Sequence, residues 1–183
     1  MNHFYHNIKG WATEKDQGYL IKYFLSNFNK DQHIKIAEIG VYMGRGTAIW
    51  NVELINYGIS YEYKAIDHFL GSKEHTNDNI PNYDKCILNL ESISDKIEIV
   101  KSESIEASKL YDDEYFDIVY IDGSHEYEDV KEDIRHWLPK VKKGGFISGD
   151  DYIPGWPGVI KAVDESFVDK VKVIGDQQWW IRK

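Results

Sequence analysis

IKIAEIGVYMGRGT, residues 34–47, is a short apolar run that stops at Gly40 and passes through Gly44 and Gly46 into a helical pattern. It reads as a buried strand, a glycine-bearing turn and the start of a helix. Glycines in that context let backbone approach a ligand and leave the first helical amides available to it. The spacing GxxxGxG is not the dinucleotide pattern GxGxxG, and a tight turn without a ligand would also use glycine. Glu38 adds information: a carboxylate at the end of a buried strand needs a partner. A cationic or amide-bearing ligand over the glycines would supply one, whereas a phosphate would meet like charge.

Outward from that stretch the chain alternates. Upstream, residues 12–28 carry Tyr19, Leu20, Tyr23, Phe24 and Phe28 as the stripe of an amphipathic helix with Thr13 placed to cap it. Downstream, strands are predicted at EYKAID (62–67), IEIV (97–100), FDIVYID (116–122) and GFISGDD (145–151). Helical patterns over 45–58, 83–94, 104–111, 127–145 (a helix and its exit) and 158–167 follow or separate them, and VKVIG with QQWWIRK form a final strand pair. Five strand-then-helix repeats before an antiparallel finish mean a mostly parallel sheet covered by helices on both faces. Trp179 and Trp180 alternate across the last strand, which predicts one inward and one outward, the latter in a partner subunit if the chain forms a homodimer.

The 183 residues make one domain, 1–183, with no linker or internal repeat. Lys plus Arg number 22 and Asp plus Glu 31, a net charge of −9, which argues against a nucleic-acid binder. Hydrophobic residues make up 42%, an ordinary globular composition. Cys86 is the one cysteine, so no intrachain disulfide or thiolate cluster is possible, and its apolar surroundings read as packing. The amino end has no signal-peptide profile and no run suggests a membrane span, so a cytoplasmic location is the expectation.

Ligands of open α/β sheets bind beyond the carboxyl ends of the strands, so the residues there are expected to converge. Asp67 closes the second strand where an acid hydrogen-bonds ribose hydroxyls in mononucleotide-binding units; a loop or cap acid is the alternative. Ser102 and Glu103 follow the third strand where an adenine edge would be read, although a helix cap explains the serines nearly as well. Asp122, Asp150 and Asp151 end the fourth and fifth strands and would repel one another unless protonated or neutralised. A hard divalent cation held by oxygens resolves that repulsion; turn and cap roles are the alternative. His125, three residues past Asp122, sits at the strand mouth with a side chain that titrates near neutrality, as a catalytic, substrate-contacting or structural group.

With EIGVYMGRGT, AIDHF, VYIDGSHEYEDVKEDI, LPKVKKGGFISGDDY and GVIKAVDE in order, the chain resembles the class I S-adenosylmethionine-dependent methyltransferases. Within them it is similar to a small family marked by IDGxHxYxxVxxD followed by KxGGxxxxDDY, laid out like the magnesium-dependent O-methyltransferases. The resemblance spans roughly Trp11 to Val173. It implies a Rossmann-like methyltransferase fold, a seven-stranded mostly parallel sheet with an antiparallel last strand. It places Glu38, Gly40, Tyr42 and Gly44 along the cofactor's methionine part, Asp67 at the ribose, Ser102 and Glu103 at the border of the adenine, and Asp122 among the residues that contact the cofactor. Asp122, Asp150 and Asp151 fall on the positions that hold Mg2+ (or Mn2+), though catechol enzymes carry asparagine at the last. His125 or Asp122 would be the base.

No long insertion forms a substrate cap, so acceptor contacts fall to the segment 11–30 around Trp11, the polar loop 71–82, and DYIPGWPG with Tyr152 and Trp156. Methyl transfer to a small hydroxylated, possibly sugar-like or diol acceptor follows from this reading. The competing classes are an oxygenase or hydroxylase of the same fold, for which the acids lack two clearly placed histidines, and a non-catalytic module retaining the cofactor pocket.

Overall fold

The computed structural model describes residues 1–73, 75 and 79–183. Glu74, Thr76, Asn77 and Asp78, within the polar loop expected to meet the acceptor, lie outside the described residues. A seven-stranded sheet runs in the order β3-β2-β1-β4-β5-β7-β6, formed by β1 (His33–Ile39), β2 (Ser60–Asp67), β3 (Ile97–Lys101), β4 (Phe116–Ile121), β5 (Val141–Gly149), β6 (Lys172–Ile174) and β7 (Gln178–Arg182). Strands β1 to β5 pair in parallel, and β7 lies antiparallel to both β5 and β6. The expected doubly covered sheet with an antiparallel last strand is therefore what the chain forms.

Two cores flank the sheet. One packs α1 (Glu14–Leu25) and α2 (Arg45–Tyr57) through Leu20, Phe24, Trp50 and Phe146, together with Leu90 from beyond α3 (Tyr83–Asn89). The other packs α4 (Ser104–Ser108), α5 (Tyr127–Trp137) and α6 (Pro157–Ser166) through Phe116, Trp137 and Val163. Phe24 and Phe146 stack at 4.4 Å, joining α1 to β5. Thr13 caps α1 by accepting from the Asp16 amide at 3.1 Å. The helix is shorter than its stripe, since the chain leaves helical geometry in the turn that follows Leu25. α3 likewise stops at Asn89, and a 3-10 turn, Glu91–Ile93, completes the segment.

One expectation fails here. Trp179 is 1% exposed and Trp180 6%, each in a different core, because β7 runs between two strands and beneath helices on both faces. Neither tryptophan is left for a partner, so the aromatic strand gives no reason for a dimer. Cys86 is fully buried, and burial pushes its thiol up to about 12, which leaves it inert packing.

The register positions the functional edge. Ile39 pairs with Ile66 on one side and Ile121 on the other, and Ile121 with Gly149. Backbone bonds then continue one step past the strands: Gly40 donates to Ile66, Asp122 to Ile39, Asp150 to Ile121 and Ser102 to Asp67, at 2.9, 2.7, 3.1 and 3.1 Å. Ser102, Asp67, Gly40, Asp122 and Asp150, scattered over the sequence, thus form one row along the carboxyl edge of five parallel strands. No helix among the described residues is long and apolar enough to cross a membrane.

Candidate active site

A cleft of about 1050 Å³ opens over that row. Its walls include Trp11 and Asp16 from the amino-terminal segment, Glu38 to Tyr42, Asp67, Ser102 to Glu106, Asp122 to His125, Asp150, Asp151 and Trp156.

At the glycine turn, Gly40 has φ +92°, and a Cβ there would fall 2.0 Å from the Asp122 carbonyl oxygen. Only glycine permits this approach, which brings the β1 turn against the end of β4. Gly44 also has positive φ, but a Cβ there would meet the Leu90 side chain at 2.8 Å. It caps α2 and packs away from the cleft walls, where Gly46 stands beside Glu38 instead.

Glu38 is 1% exposed and finds its partners within the chain. Oε2 accepts from the Thr47 hydroxyl at 2.6 Å and the Tyr63 hydroxyl at 3.1 Å. Burial nonetheless lifts its carboxyl to about 8, against the opposing pull of those hydrogen bonds, so it holds a proton at neutral pH in the free protein. The sequence expectation that a ligand must supply the partner is corrected to that extent.

Asp67 does more than face a ligand. Oδ2 accepts from the Val41 and Tyr42 amides, both at 2.8 Å, and Oδ1 from the Phe69 amide at 2.6 Å. Tyr42 and Phe69 both have positive φ, 55° and 60°, so one carboxylate pins two turns in a conformation that side-chain-bearing residues avoid. Tyr42 then lies between Trp11 and His75, ring centroids 4.8 and 5.6 Å away, closing an aromatic rim in which Trp11 is 66% exposed. Arg45 supports this rim by donating to the carbonyls of Ile8 and Gly10 at 3.4 and 3.2 Å.

On the side of β3, Ser102 and Glu103 both line the cleft. Ser104 donates to Asp133 and accepts from Trp137 Nε1 at 2.8 Å, tying the β3–α4 turn to α5. Burial raises the Asp133 carboxyl to about 7.

The acids past β4 and β5 stand in two different settings. Ligand atoms of Asp122, His125 and Asp151 all lie within 4.8 Å of one another. His125 Nε2 is 2.6 Å from Asp151 Oδ2, and its ring stacks on Trp156 at 4.1 Å and 16°. Asp150 is 8% exposed and turned inward: Oδ2 accepts from the Tyr120 hydroxyl at 3.2 Å, and Oδ1 from Gln178 Nε2 and the Asp151 amide at 2.9 and 2.8 Å. Gln17 of α1 donates to the same Tyr120 hydroxyl at 3.1 Å, linking the amino-terminal helix to the site. Burial and then the Asp150 and Asp151 charges push the Asp122 carboxyl well above the usual range, and burial with Asp151 pushes Asp150 up to about 6. Neighbouring acids that raise one another in this way match a cation-binding donor set.

Of the acceptor-side residues, Trp11 and Trp156 reach the cleft wall. Tyr152 does not line it; its hydroxyl donates to Asp164 of α6 at 2.7 Å. The supporting residues Gln17, Tyr120, Asp133 and Gln178 escaped the sequence reading. Two signals existed: Gln17 falls on the apolar stripe of α1, and Asp133 on the face of α5 that carries Val130, Ile134 and Trp137.

Residues 37–152 match the model of a methyltransferase-domain family. No curated protein matches the chain. Among solved structures it is similar to the O-methyltransferase NovP, with 16% identity, TM-score 0.69, and 89% of this chain and 76% of that one covered. It is also similar to CalS11, a TDP-rhamnose 3'-O-methyltransferase of calicheamicin biosynthesis, with 15% identity, TM-score 0.62, and coverage of 89% and 76%. MycE, a methyltransferase of mycinamycin biosynthesis solved with Mg, S-adenosylhomocysteine and mycinamycin VI, shares 17% identity and TM-score 0.61, covering 91% of this chain and 48% of that one. At these identities the structural likenesses speak for the fold, while the family match extends over the glycine turn and every strand-end acid. The chain belongs to the methyltransferase-domain family and is an S-adenosylmethionine-dependent methyltransferase.

Proposed function

We propose that the protein methylates an oxygen of a small hydroxylated acceptor, a diol or sugar-like molecule, with a divalent cation, Mg2+ or Mn2+, held by the acids past β4 and β5. The observation that carries this reading is the meeting of Asp122 and Asp151 with His125 in the same cleft as the Gly40 turn. O-Methyl transfer is also what NovP and CalS11 are named for, and Mg accompanies MycE.

S-adenosylmethionine supplies an electrophilic methyl on a sulfonium, and a bound cation would lower the pKa of an acceptor hydroxyl and fix its direction. The chain's own groups do the rest. Glu38, Gly40 and Tyr42 border the methionine part, with the carboxyl of Glu38 able to release its proton when a cationic group approaches. Asp67 offers its remaining lone pairs to the ribose, and Ser102 with Glu103 flank the adenine. His125 and Asp122 are the two groups placed to take the acceptor proton. Trp11 and Trp156 provide aromatic faces for the acceptor, and the rim formed with Tyr42 limits water access.

The wall chemistry narrows the acceptor. Asp16, Glu106, Asp129, Glu132 and Asp133 join the strand-end acids, whereas Arg45 is the one lysine or arginine among the described lining residues, and its Nη1 donates to backbone carbonyls. The side chains themselves offer a phosphate-bearing acceptor little counter-charge there, so neutral or cationic polyols fit best.

The test is transfer of labelled methyl from S-adenosylmethionine to a panel of catechols, sugars and amino sugars, before and after chelation and with Mg2+ or Mn2+ restored. A product heavier by a methyl group, formed only with a divalent ion, supports the reading. Chelator-resistant transfer refutes the metal's role, and a product heavier by an oxygen atom would mean oxygenase chemistry.

A further inference from the structure

We propose that His3, His6 and Glu14 form a separate metal site on the surface of the amino-terminal segment, which takes Zn2+ and clamps the turn Phe4–Asn7 to the start of α1. The site shares no residue with the strand-end acids, so it stands or falls independently of the reaction proposed above.

The sequence spacing prepares the site. Phe4–Asn7 is a 3-10 helix with His3 at its amino end, and side chains three residues apart eclipse one another in that geometry. His3 and His6 therefore project from the same side, with ring centroids 6.3 Å apart. Tyr5 orders both rings: it is fully buried, stacks on His3 at 5.3 Å and 19°, and meets His6 at 4.7 Å. The turn is anchored and not a loose tail, since Ile8 is buried in the core and Asn56 of α2 donates to the Met1 carbonyl at 3.4 Å. The third donor comes from another element. Glu14 opens α1 at a start that the Thr13 cap fixes.

The donors are spaced around a point. His3 Nδ1 lies 3.7 Å from Glu14 Oε1, and His6 Nε2 lies 4.0 Å from Glu14 Oε2. Both gaps exceed hydrogen-bond length, so neither imidazole is bonded to the carboxylate. Ligand atoms of all three residues nonetheless fall within 4.8 Å of one another. Donors on one tetrahedral zinc with bonds of about 2.0–2.1 Å stand roughly 3.3 Å apart, and rotation of these partly exposed side chains closes the remaining gaps. Two imidazoles and one carboxylate, with a fourth position left to water, suit zinc, whereas Mg2+ prefers oxygen donors and dehydrates reluctantly. The ion would also act on the cleft. Gly10, Trp11 and Ala12, in the loop between His6 and Glu14, line its wall, and Arg45 already holds the Ile8 and Gly10 carbonyls. Closing that loop with a metal restrains the rim before the methyl donor arrives, which lowers the ordering cost of binding it.

The experiment is calorimetric titration of the full, untagged, metal-stripped chain with Zn2+ in excess Mg2+, repeated in Asp151→Asn so that zinc at the strand-end acids is told apart. The proposal expects one zinc per chain in both proteins, weakened about tenfold or more by each of His3→Ala, His6→Ala and Glu14→Gln, because each removes one of three protein ligands. These side chains are partly exposed, and urea midpoints measured without zinc should match that of the natural chain, which separates lost binding from lost folding. A second titration, with S-adenosylhomocysteine, should show severalfold tighter binding when zinc is present, in Asp151→Asn as in the natural chain, and no such gain in His6→Ala. Zinc uptake that survives His3→Ala and His6→Ala unchanged, or that disappears in Asp151→Asn, overturns the site. Uptake only at millimolar zinc means an adventitious ion only and overturns it as well. Tight zinc binding with the same S-adenosylhomocysteine affinity in its presence and absence overturns the effect on the rim.

Discussion

Replacing Asp67 by alanine removes the one group that holds both turns beside the cofactor cleft. The side chain accepts three backbone hydrogen bonds, at 2.8, 2.8 and 2.6 Å, from Val41, Tyr42 and Phe69. Hydrogen bonds to charged groups contribute about 1.5–3 kcal/mol each where the donors are left unsatisfied, but these amides lie at a cleft and water replaces part of the loss. Releasing Tyr42 and Phe69 from their left-handed conformations returns about 1–2 kcal/mol per residue. The net expectation is a loss of about 2–3 kcal/mol, which in a domain of this size lowers Tm by about 4–12 °C. Urea unfolding followed by tryptophan fluorescence reads the stability, and calorimetric titration with S-adenosylmethionine reads the second consequence, a weakening of at least tenfold. Asp67→Asn, which keeps one acceptor oxygen, should fall between. Stability within about 0.5 kcal/mol of the natural chain, inside the scatter of ordinary surface substitutions, would refute the clamp. Lost stability with unchanged cofactor affinity would retain the clamp and remove the ribose role.

Two further outcomes follow from the same edge. Gly40→Ala drives a Cβ into the Asp122 backbone at positive φ and should cost more than about 4 kcal/mol or abolish folding, whereas Gly44→Ala presses on the movable Leu90 side chain and should cost less. Comparable urea midpoints for the two variants would contradict the close approach of β1 and β4. Glu38, with its folded carboxyl raised from 4.5 to about 8, contributes stability that is present below pH 4.5 and lost as pH climbs through 8. Glu38→Gln should therefore gain on the natural chain by about 1 kcal/mol or more between pH 5.5 and 8.5, and parallel stability curves would show that Glu38 is not buried with its proton.

The strand-end row was legible in the sequence because each parallel strand is a compact apolar run with an abrupt polar or glycine end. Ile39 before Gly40 and Ile121 before Asp122 are clear boundaries, and sheet register then aligns them. Trp179 and Trp180 were misread because alternation tells that two side chains face opposite ways but not that both faces are covered; β7 lies inside the sheet. The different surroundings of Asp150 and Asp151 were invisible for a different reason. They depend on Tyr120, Gln178 and Gln17, contributed by β4, β7 and α1, whose meeting is a consequence of packing across the whole sheet. The same holds for His125 and Trp156, which stack across two separate strand exits. Gly44 shows the limit of motif reading, since its glycine serves the contact with Leu90 and the start of α2.

In the proposed function a cation sits beside the methyl-donor pocket, at the carboxyl ends of β4 and β5. A crystal structure with S-adenosylhomocysteine and saturating Mn2+, phased to show the metal's anomalous signal, tests it directly. One peak is expected within bonding distance of the acids past β4 and β5, Asp122, Asp150 and Asp151, with the ribose of S-adenosylhomocysteine against Asp67 and its sulfur directed to the metal side of the cleft. Clear density for S-adenosylhomocysteine with no anomalous peak among these side chains would contradict it.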